Sequence, residues 1–325
     1  MMNGRFRTIT VRARRALGLS LLLLTLAGCQ DNPVREPVPP GSPNIDYPSE
    51  HPSPPTQPYR IGAFNLHNFG PARLQKPEAM QALVTILRRY DIAVLMEIRD
   101  RSGMAAAELL AQLNADPQRQ YALKLSSRLG RGERKEQYGL LYRPERVSID
   151  DIYEYDDGLE PNGDLFSREP MVAYLDLSGL TVSLIMLHAD PNAVALELNR
   201  LIPVYEDVVQ REGDPDAIIL GDLNADCGFL PDKDKPFVRL LSDARFRWLL
   251  GDAVDTTVHA STDCAYDRII VTKTLDPYIV PGSARVENFT AELGLSESQA
   301  LEVSDHYPVE VDVSAESVGT AAIPP

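Results

Sequence analysis

Acids, amides and histidines recur at one kind of place in this chain, just beyond or just before a short apolar run. Asn65 follows the run 59–64, Glu97 ends 92–97, His188 ends 182–188, and Asp222 closes 217–222 with Asn224 two residues on. Asp267 precedes the run 268–271, and Asp305 and His306 precede 308–313. Singly, each has an ordinary explanation: a lone histidine at a strand end is more often a hydrogen-bonded structural residue, and a lone aspartate a turn former. Together they mean more, because strand ends in a twisted sheet gather at one rim. Carboxylates, amides and imidazoles collected there suit a hard cation and a phosphate.

Such a rim needs strands to present it. Residues 59–64, 92–97, 140–142, 171–177, 182–188, 217–222, 268–271 and 308–313 read as strands from their β-branched and apolar content. Helical periodicity marks 78–90, 105–114, 193–210 and 236–243. Strands buried on both faces imply packed sheets with helices outside, an α/β sandwich. A chain of 325 residues with 44% hydrophobic content can bury one substantial core, so one catalytic domain with appendages is the simplest organisation.

The appendages lie at the ends. Arg5, Arg7, Arg12, Arg14 and Arg15 precede the apolar run 16–26, which ends in Leu26-Ala27-Gly28-Cys29. This is a secretory signal, residues 1–28, too short in its apolar part to span a bilayer. The small residues before Cys29 resemble the lipobox of bacterial lipoproteins, which implies lipidation of Cys29 and contact with a membrane through that anchor alone. An ordinary secretory signal with a cysteine near the cut is the alternative. Prolines recur through 29–58, which reads as a semi-stiff tether. Residues 59–313 form the folded domain, and 314–325 read as a flexible tail.

Losing the signal's five arginines takes the formal charge from −15 to −20. That argues against passive adhesion to nucleic acid but not against an enzyme with a local basic strip. Cys227 and Cys264 then remain as an even pair in an oxidising compartment. Bridging them closes a loop of about 38 residues, worth at most about 4 kcal/mol. Two buried thiols are the alternative.

Three stretches carry a resemblance. Gly221-Asp222-Leu223-Asn224-Ala225-Asp226, Ala265-Tyr266-Asp267-Arg268-Ile269 and Ser304-Asp305-His306-Tyr307-Pro308-Val309 match, nearly letter for letter, motifs of the endonuclease/exonuclease/phosphatase superfamily. Arg88-Arg89-Tyr90-Asp91-Ile92, Tyr155-Asp156-Asp157-Gly158, Phe166-Ser167-Arg168-Glu169-Pro170, Phe246-Arg247-Trp248-Leu249 and Pro281-Gly282-Ser283-Ala284 narrow it to the deoxyribonuclease I family, over almost all of 59–313. The resemblance implies a four-layer α/β sandwich of two mostly antiparallel sheets. It also implies a monomeric endonuclease that cuts double-stranded DNA to leave 5′-phosphates.

Carried over residue by residue, the resemblance makes Glu97 the main ligand of Mg²⁺ or Mn²⁺. Asp222, Asp305 and Asn65 stand beside it and Asn224 lies at the scissile phosphate. His306 pairs with Asp267 and His188 with Glu136 as general acid and base. Arg99, Arg134 and Arg168 would contact DNA, within or near the basic run 128–146 that holds Arg128, Arg131, Lys135, Arg143 and Arg146. Asp157, Asp164 and Glu169 would bind structural Ca²⁺, Asp255 with the threonines near Thr262 would form a second calcium site, and Cys227 would bridge Cys264.

Four departures accompany the match. Leu159 and Pro161 fill the place of a small disulfide, Arg134 replaces a minor-groove tyrosine, His67 an arginine, and Gly132 a phosphate-binding asparagine. Arginine also enters minor grooves, so duplex cleavage with altered sequence preference is expected. Two other functions compete: a sibling esterase acting on lipid or sugar phosphates, and a surface binding module without catalysis.

Overall fold

The computed structural model describes residues 57–133, 135–158 and 165–318. In chain order the elements are β1 (Tyr59–Phe69), α1 (Pro71–Leu74), α2 (Pro77–Leu87), β2 (Ile92–Ile98), α3 (Met104–Leu113), β3 (Ala122–Leu125), β4 (Gln137–Tyr142), β5 (Ser148–Glu154), β6 (Met171–Leu177) and β7 (Leu180–Met186). There follow α4 (Val194–Glu212), β8 (Ala217–Asp222), α5 (Arg239–Ser242), β9 (Phe246–Trp248), β10 (Asp267–Thr272), β11 (Arg285–Val286), α6 (Phe289–Glu292), α7 (Glu297–Val303) and β12 (Val309–Val313).

One six-stranded sheet has the order β11-β12-β1-β2-β4-β3, and the other β5-β6-β7-β8-β10-β9. Each contains one parallel pair, β1 with β2 and β7 with β8, among antiparallel neighbours. Side chains alternate across β1, and the alternation builds the layers. Ile61 and Ala63 join Val94, Leu184, Leu220 and Ile269 in a core shared by both sheets. Phe64 and Leu66 point the other way, into a second core with Leu83, Ile86 and Leu109 of α2 and α3. A third core packs Ile185 and Ile219 against Leu198, Leu201 and Tyr205 of α4. The result is helices, sheet, sheet, helices, the four layers expected. No helix among the described residues is long and apolar enough to cross a membrane.

Two expectations need correction. Residues 236–243 do not form one helix: Lys235–Phe237 is a 3₁₀ turn, and Val238 is extended at φ −89° and ψ 98° before α5 begins. That break carries Val238 into the third core, where it is 1% exposed. Nor is the chain loose directly after Val313, since Ser314 and Val318 donate backbone hydrogen bonds to the carbonyls of Tyr278 and Pro277 at 2.8 and 2.9 Å. The signal, Cys29 and most of the tether fall outside the described residues, as do Arg134, Asp164, Leu159, Pro161 and 319–325.

The end of β8 depends on one glycine. Gly221 has φ +142°, and a Cβ there would stand 2.0 Å from the Leu187 carbonyl oxygen. This lets the segment bearing His188 close onto Asp222. Gly221→Ala is expected to lower the unfolding free energy by about 2–5 kcal/mol through strain and overpacking, measured by urea denaturation; a loss under about 1 kcal/mol would contradict the close approach.

Candidate active site

β1 and β2 do not end cleanly. Their mutual register slips between Asn65 and Phe69, and that of β2 with β4 slips between Leu95 and Ile98. Such bulges bend a strand and re-aim its side chains. Here they carry His67, Asn68 and Glu97 into left-handed backbone, at φ 47°, 55° and 59°, and Asn224 beyond β8 has φ 49°. Each such residue costs about 1–3 kcal/mol and persists only where its surroundings dictate it.

One oxygen organises the rim these bends create. Asp222 Oδ2 accepts the Asn65 Nδ2 amide at 3.0 Å and stands 3.5 Å from His188 Nε2 and 3.7 Å from His306 Nε2. Asn65 Nδ2 also donates to Glu97 Oε1 at 3.2 Å, so a single amide aligns both acids. Glu97 Oε2 accepts the Asn68 backbone N–H at 2.9 Å and meets Arg99 Nη2 at 3.0 Å. Asp222 Oδ1 accepts the Asn224 N–H at 3.1 Å, while Asn224 Nδ2 donates to the Ala189 carbonyl at 2.9 Å.

Behind each imidazole stands a carboxylate. His188 Nδ1 meets Glu136 Oε1 at 2.5 Å, and His306 Nδ1 meets Asp267 Oδ2 at 2.7 Å. Burial works to lower the pKa of His188, but Glu136 outweighs it and the value is raised. At His306 burial is opposed by Asp267 and then Asp222, which lift the imidazole to about 10. Burial pushes Asp267 up to about 6 against the pull of His306. Glu136, though buried, is held below its ordinary value by His188, Arg168 and Arg99.

Asp222, Asp267 and His306 bring possible metal-ligating atoms within 4.8 Å of one another. Asp267 is spent on His306 Nδ1, however, so Asp222 is the acid of that trio turned to the rim. Asp305 reaches it too, with Oδ1 2.5 Å from His67 Nδ1 and 4.0 Å from His306 Nε2.

Sequence reasoning missed the groups that hold the histidines. Tyr138 Oη accepts the His188 N–H at 2.9 Å. Ser304 Oγ donates to the Asn65 carbonyl at 2.6 Å and accepts the His306 N–H at 3.0 Å. Tyr138 lies two residues from Glu136, and Ser304 opens the motif quoted for Asp305 and His306 without a role of its own being assigned. Arg168, expected to touch DNA, also holds buried backbone. Its Nε donates to the His188 carbonyl at 2.9 Å and its Nη2 to Ala189 at 3.0 Å, and Nε lies 3.3 Å from Glu136. Buried carbonyls need donors, and a guanidinium supplies several at once.

A second guanidinium fastens the loops. Arg268, 1% exposed, donates to the carbonyls of Ala265, Leu250 and Ala225 at 2.7, 2.9 and 3.2 Å. Lys235 Nζ bridges Asp226 and Asp252 at 3.0 and 2.8 Å. Cys227 and Cys264 form the expected disulfide, their Cα atoms 5.8 Å apart, across the same loops.

The remaining expected residues separate into groups. Asp157 Oδ2 accepts the Leu165 and Phe166 N–H groups at 2.6 and 2.7 Å. Asp156, Asp157 and Glu169 line a cleft of about 500 Å³ opposite Arg128, Arg131 and Lys135. Asp255 Oδ1 accepts the N–H and Oγ1–H of Thr257 at 2.9 and 2.6 Å, and Thr262 Oγ1 donates to Thr257 Oγ1 at 2.7 Å. The basic run is not one surface: Arg143 and Arg146 pair with Asp91 at 3.0 and 2.6 Å, beyond the far end of β4 from Glu136.

Fold and rim together define a phosphoester hydrolase. Residues 62–306 match the Endonuclease/Exonuclease/phosphatase family. The chain is 42% identical over 260 residues to Deoxyribonuclease-1 of Bos taurus, covering 78% of this chain and 92% of that protein. It is 44% identical over 259 residues to Deoxyribonuclease-1 of Mus musculus, covering 78% and 90%. Among solved structures, an endonuclease/exonuclease/phosphatase from Bacteroides vulgatus superposes with a TM-score of 0.54 at 16% identity, covering 79% of this chain and 99% of that one. The human Nocturnin catalytic domain does so with a TM-score of 0.53 at 14% identity, covering 79% and 94%.

The chain belongs to the endonuclease/exonuclease/phosphatase family. Within that family it is a hydrolase of the deoxyribonuclease I type. Because Arg268 and Lys235 fasten the same loops as the disulfide, replacing both Cys227 and Cys264 by serine should cost no more than about 4 kcal/mol. A urea titration reads this, and a double variant with no folded baseline in buffer would contradict it.

Proposed function

We propose that the protein is an extracytoplasmic, divalent-metal-dependent endonuclease that hydrolyses DNA, double-stranded DNA included, to 5′-phosphate ends. The observation that carries the reading is the convergence of two carboxylate-backed imidazoles, by their Nε2 atoms, on Asp222 Oδ2. That arrangement suits in-line attack of water on phosphorus.

The donor chemistry fits Mg²⁺ or Mn²⁺. Glu97 and Asp222 offer carboxylate oxygens aligned by one amide, Asn65, and Asp305 shares their rim. When bound, such a cation neutralises charge that develops on the phosphate. One imidazole removes a proton from water and the other protonates the leaving 3′ oxygen. Glu136 and Asp267 fix the ring tautomers and support the imidazolium. Asn224 sits at the non-bridging oxygens. Arg99, beside Glu97, and Arg134 serve the DNA backbone and groove. Arg168 acts mainly by holding the His188 carbonyl.

Calcium is assigned to the loop of Asp157, Asp164 and Glu169, with a second site at Asp255. The disulfide supports an oxidising compartment. With residues 1–28 as signal and Cys29 lipidated, the tether 29–58 would hold a monomeric domain, 59–313, off a bacterial envelope membrane.

Supercoiled plasmid is the direct substrate. Nicking should require a divalent cation, and His188→Ala and His306→Ala should each slow it by about 10²–10⁴-fold while DNA binding persists. Plasmid left intact while lipid or sugar phosphates are cleaved would replace this reading with the sibling esterase. Binding without wild-type turnover would make the chain a binding module.

A further inference from the structure

A buried acid behind the rim touches none of the reacting groups. Glu197 lies in the first turn of α4 and is 1% exposed, on a helix fixed by Leu198 and Leu201 in the third core. Its Oε1 accepts the Ser167 N–H at 2.8 Å, and its Oε2 accepts the Asp190 N–H at 2.9 Å. Those two N–H groups belong to different loops. Ser167 directly precedes Arg168, and Asp190 follows His188 by two residues. The loops also meet directly, since Ser167 Oγ donates to Asp190 Oδ2 at 2.5 Å.

We propose that Glu197 is a positioning residue for His188: its carboxylate clamps the Arg168 loop to the His188 loop and so sets where the His188 ring stands. Resting on the DNA-hydrolysing reading above, this adds to it a residue that acts through His188 and not on the substrate.

Three observations carry it. The two N–H groups bracket one contact, the Arg168 fork, whose Nε and Nη2 reach the carbonyls of His188 and Ala189 at 2.9 and 3.0 Å. A fork aimed at two consecutive carbonyls holds only while the two backbones keep their spacing, and Glu197 grips both from a packed helix. Next, the backbone around His188 is held unit by unit. Tyr138 Oη accepts the His188 N–H at 2.9 Å, the Asp222 carbonyl accepts the Ala189 N–H at 2.9 Å, and Glu197 takes the Asp190 N–H. The ring that this backbone carries meets Glu136 at 2.5 Å and Asp222 at 3.5 Å, so a displacement of about 1 Å would spoil both approaches. Finally, the site calls for a carboxylate. Burial pushes the Glu197 carboxyl up, against the Ser167 and Asp190 N–H groups and Arg168. A carboxylate offers an acceptor at each oxygen, whereas an amide of the same shape would turn a donor against one of the two N–H groups.

The test is a double-mutant cycle on plasmid nicking by the full-length protein, with Mg²⁺ and Ca²⁺ present. In the wild-type background Glu197→Gln should lower kcat about 10–100-fold and change KM by less than about twofold. In the His188→Ala background the same substitution should cost less than about twofold more, because the group it positions is gone. With ¹⁵N-labelled histidine, the His188 ring resonances should move in Glu197→Gln while those of His306 stay. A loss of equal factor in both backgrounds, a loss carried by KM, or unmoved His188 resonances overturns the positioning role and leaves DNA hydrolysis standing. Should Glu197→Gln not fold, amide hydrogen exchange in the wild type decides: the Ser167 and Asp190 N–H groups should be protected at least about 100-fold, and free exchange at either overturns the clamp. A wild type that leaves plasmid intact overturns the DNA reading and this role together.

Discussion

The structure turns on a crowd of acids that must share one small volume. Asp222 Oδ2 is approached by an amide and two imidazoles, and Glu97, Asp305, Asp267 and Glu136 stand close around it. Buried carboxylates repel one another and lose hydration, so they persist only where hydrogen bonds and positive charge compensate them. Asn65, His188, His306, Arg99 and Arg168 provide that compensation within the chain. The hard cation proposed between Glu97 and Asp222 would complete it, and the same neutralisation is what phosphoester hydrolysis requires.

The two sheets each supply half of both histidine–carboxylate pairs. Glu136 precedes β4 of the first sheet and partners His188, which follows β7 of the second. Asp267 opens β10 of the second sheet and partners His306, which precedes β12 of the first. Neither pair can form until the sheets pack, so the shared core of Ile61, Val94, Leu184 and Ile269 is also what assembles the chemistry. Gly221, Tyr138 and Ser304 then set the last ångström, through a close backbone approach and two hydrogen bonds to histidine backbone.

Much of this was legible in the sequence because strands buried on both faces are written as apolar runs with polar residues at their ends. β2, β6 and β8 and the residues at their tips fall in that class, as do Asp267 and His306. β5 was invisible for the opposite reason: Ser148–Glu154 carries Asp150, Asp151 and Glu154 on a half-exposed edge, where no apolar pattern is required. β9 and β11, of three and two residues, are too short for periodicity to speak. The misread segment 236–243 shows how a buried valine overrides helical spacing. Arg168 was singled out for DNA and Arg268 only quoted within a motif, and the structural role of each was hidden because an arginine's charge suggests a surface, whereas here the fork serves buried carbonyls.

Manganese binding tests the acid cluster most directly. With Ca²⁺ present to fill the proposed calcium sites, Mn²⁺ titrated into the wild type and followed by electron paramagnetic resonance should fill a site at the rim. Asp222→Asn, which keeps the shape and removes the charge, should weaken that binding at least about tenfold, with the folded state intact by circular dichroism. Equal Mn²⁺ affinity in the two proteins would contradict the account, because Asp222 would then not be where charge is gathered.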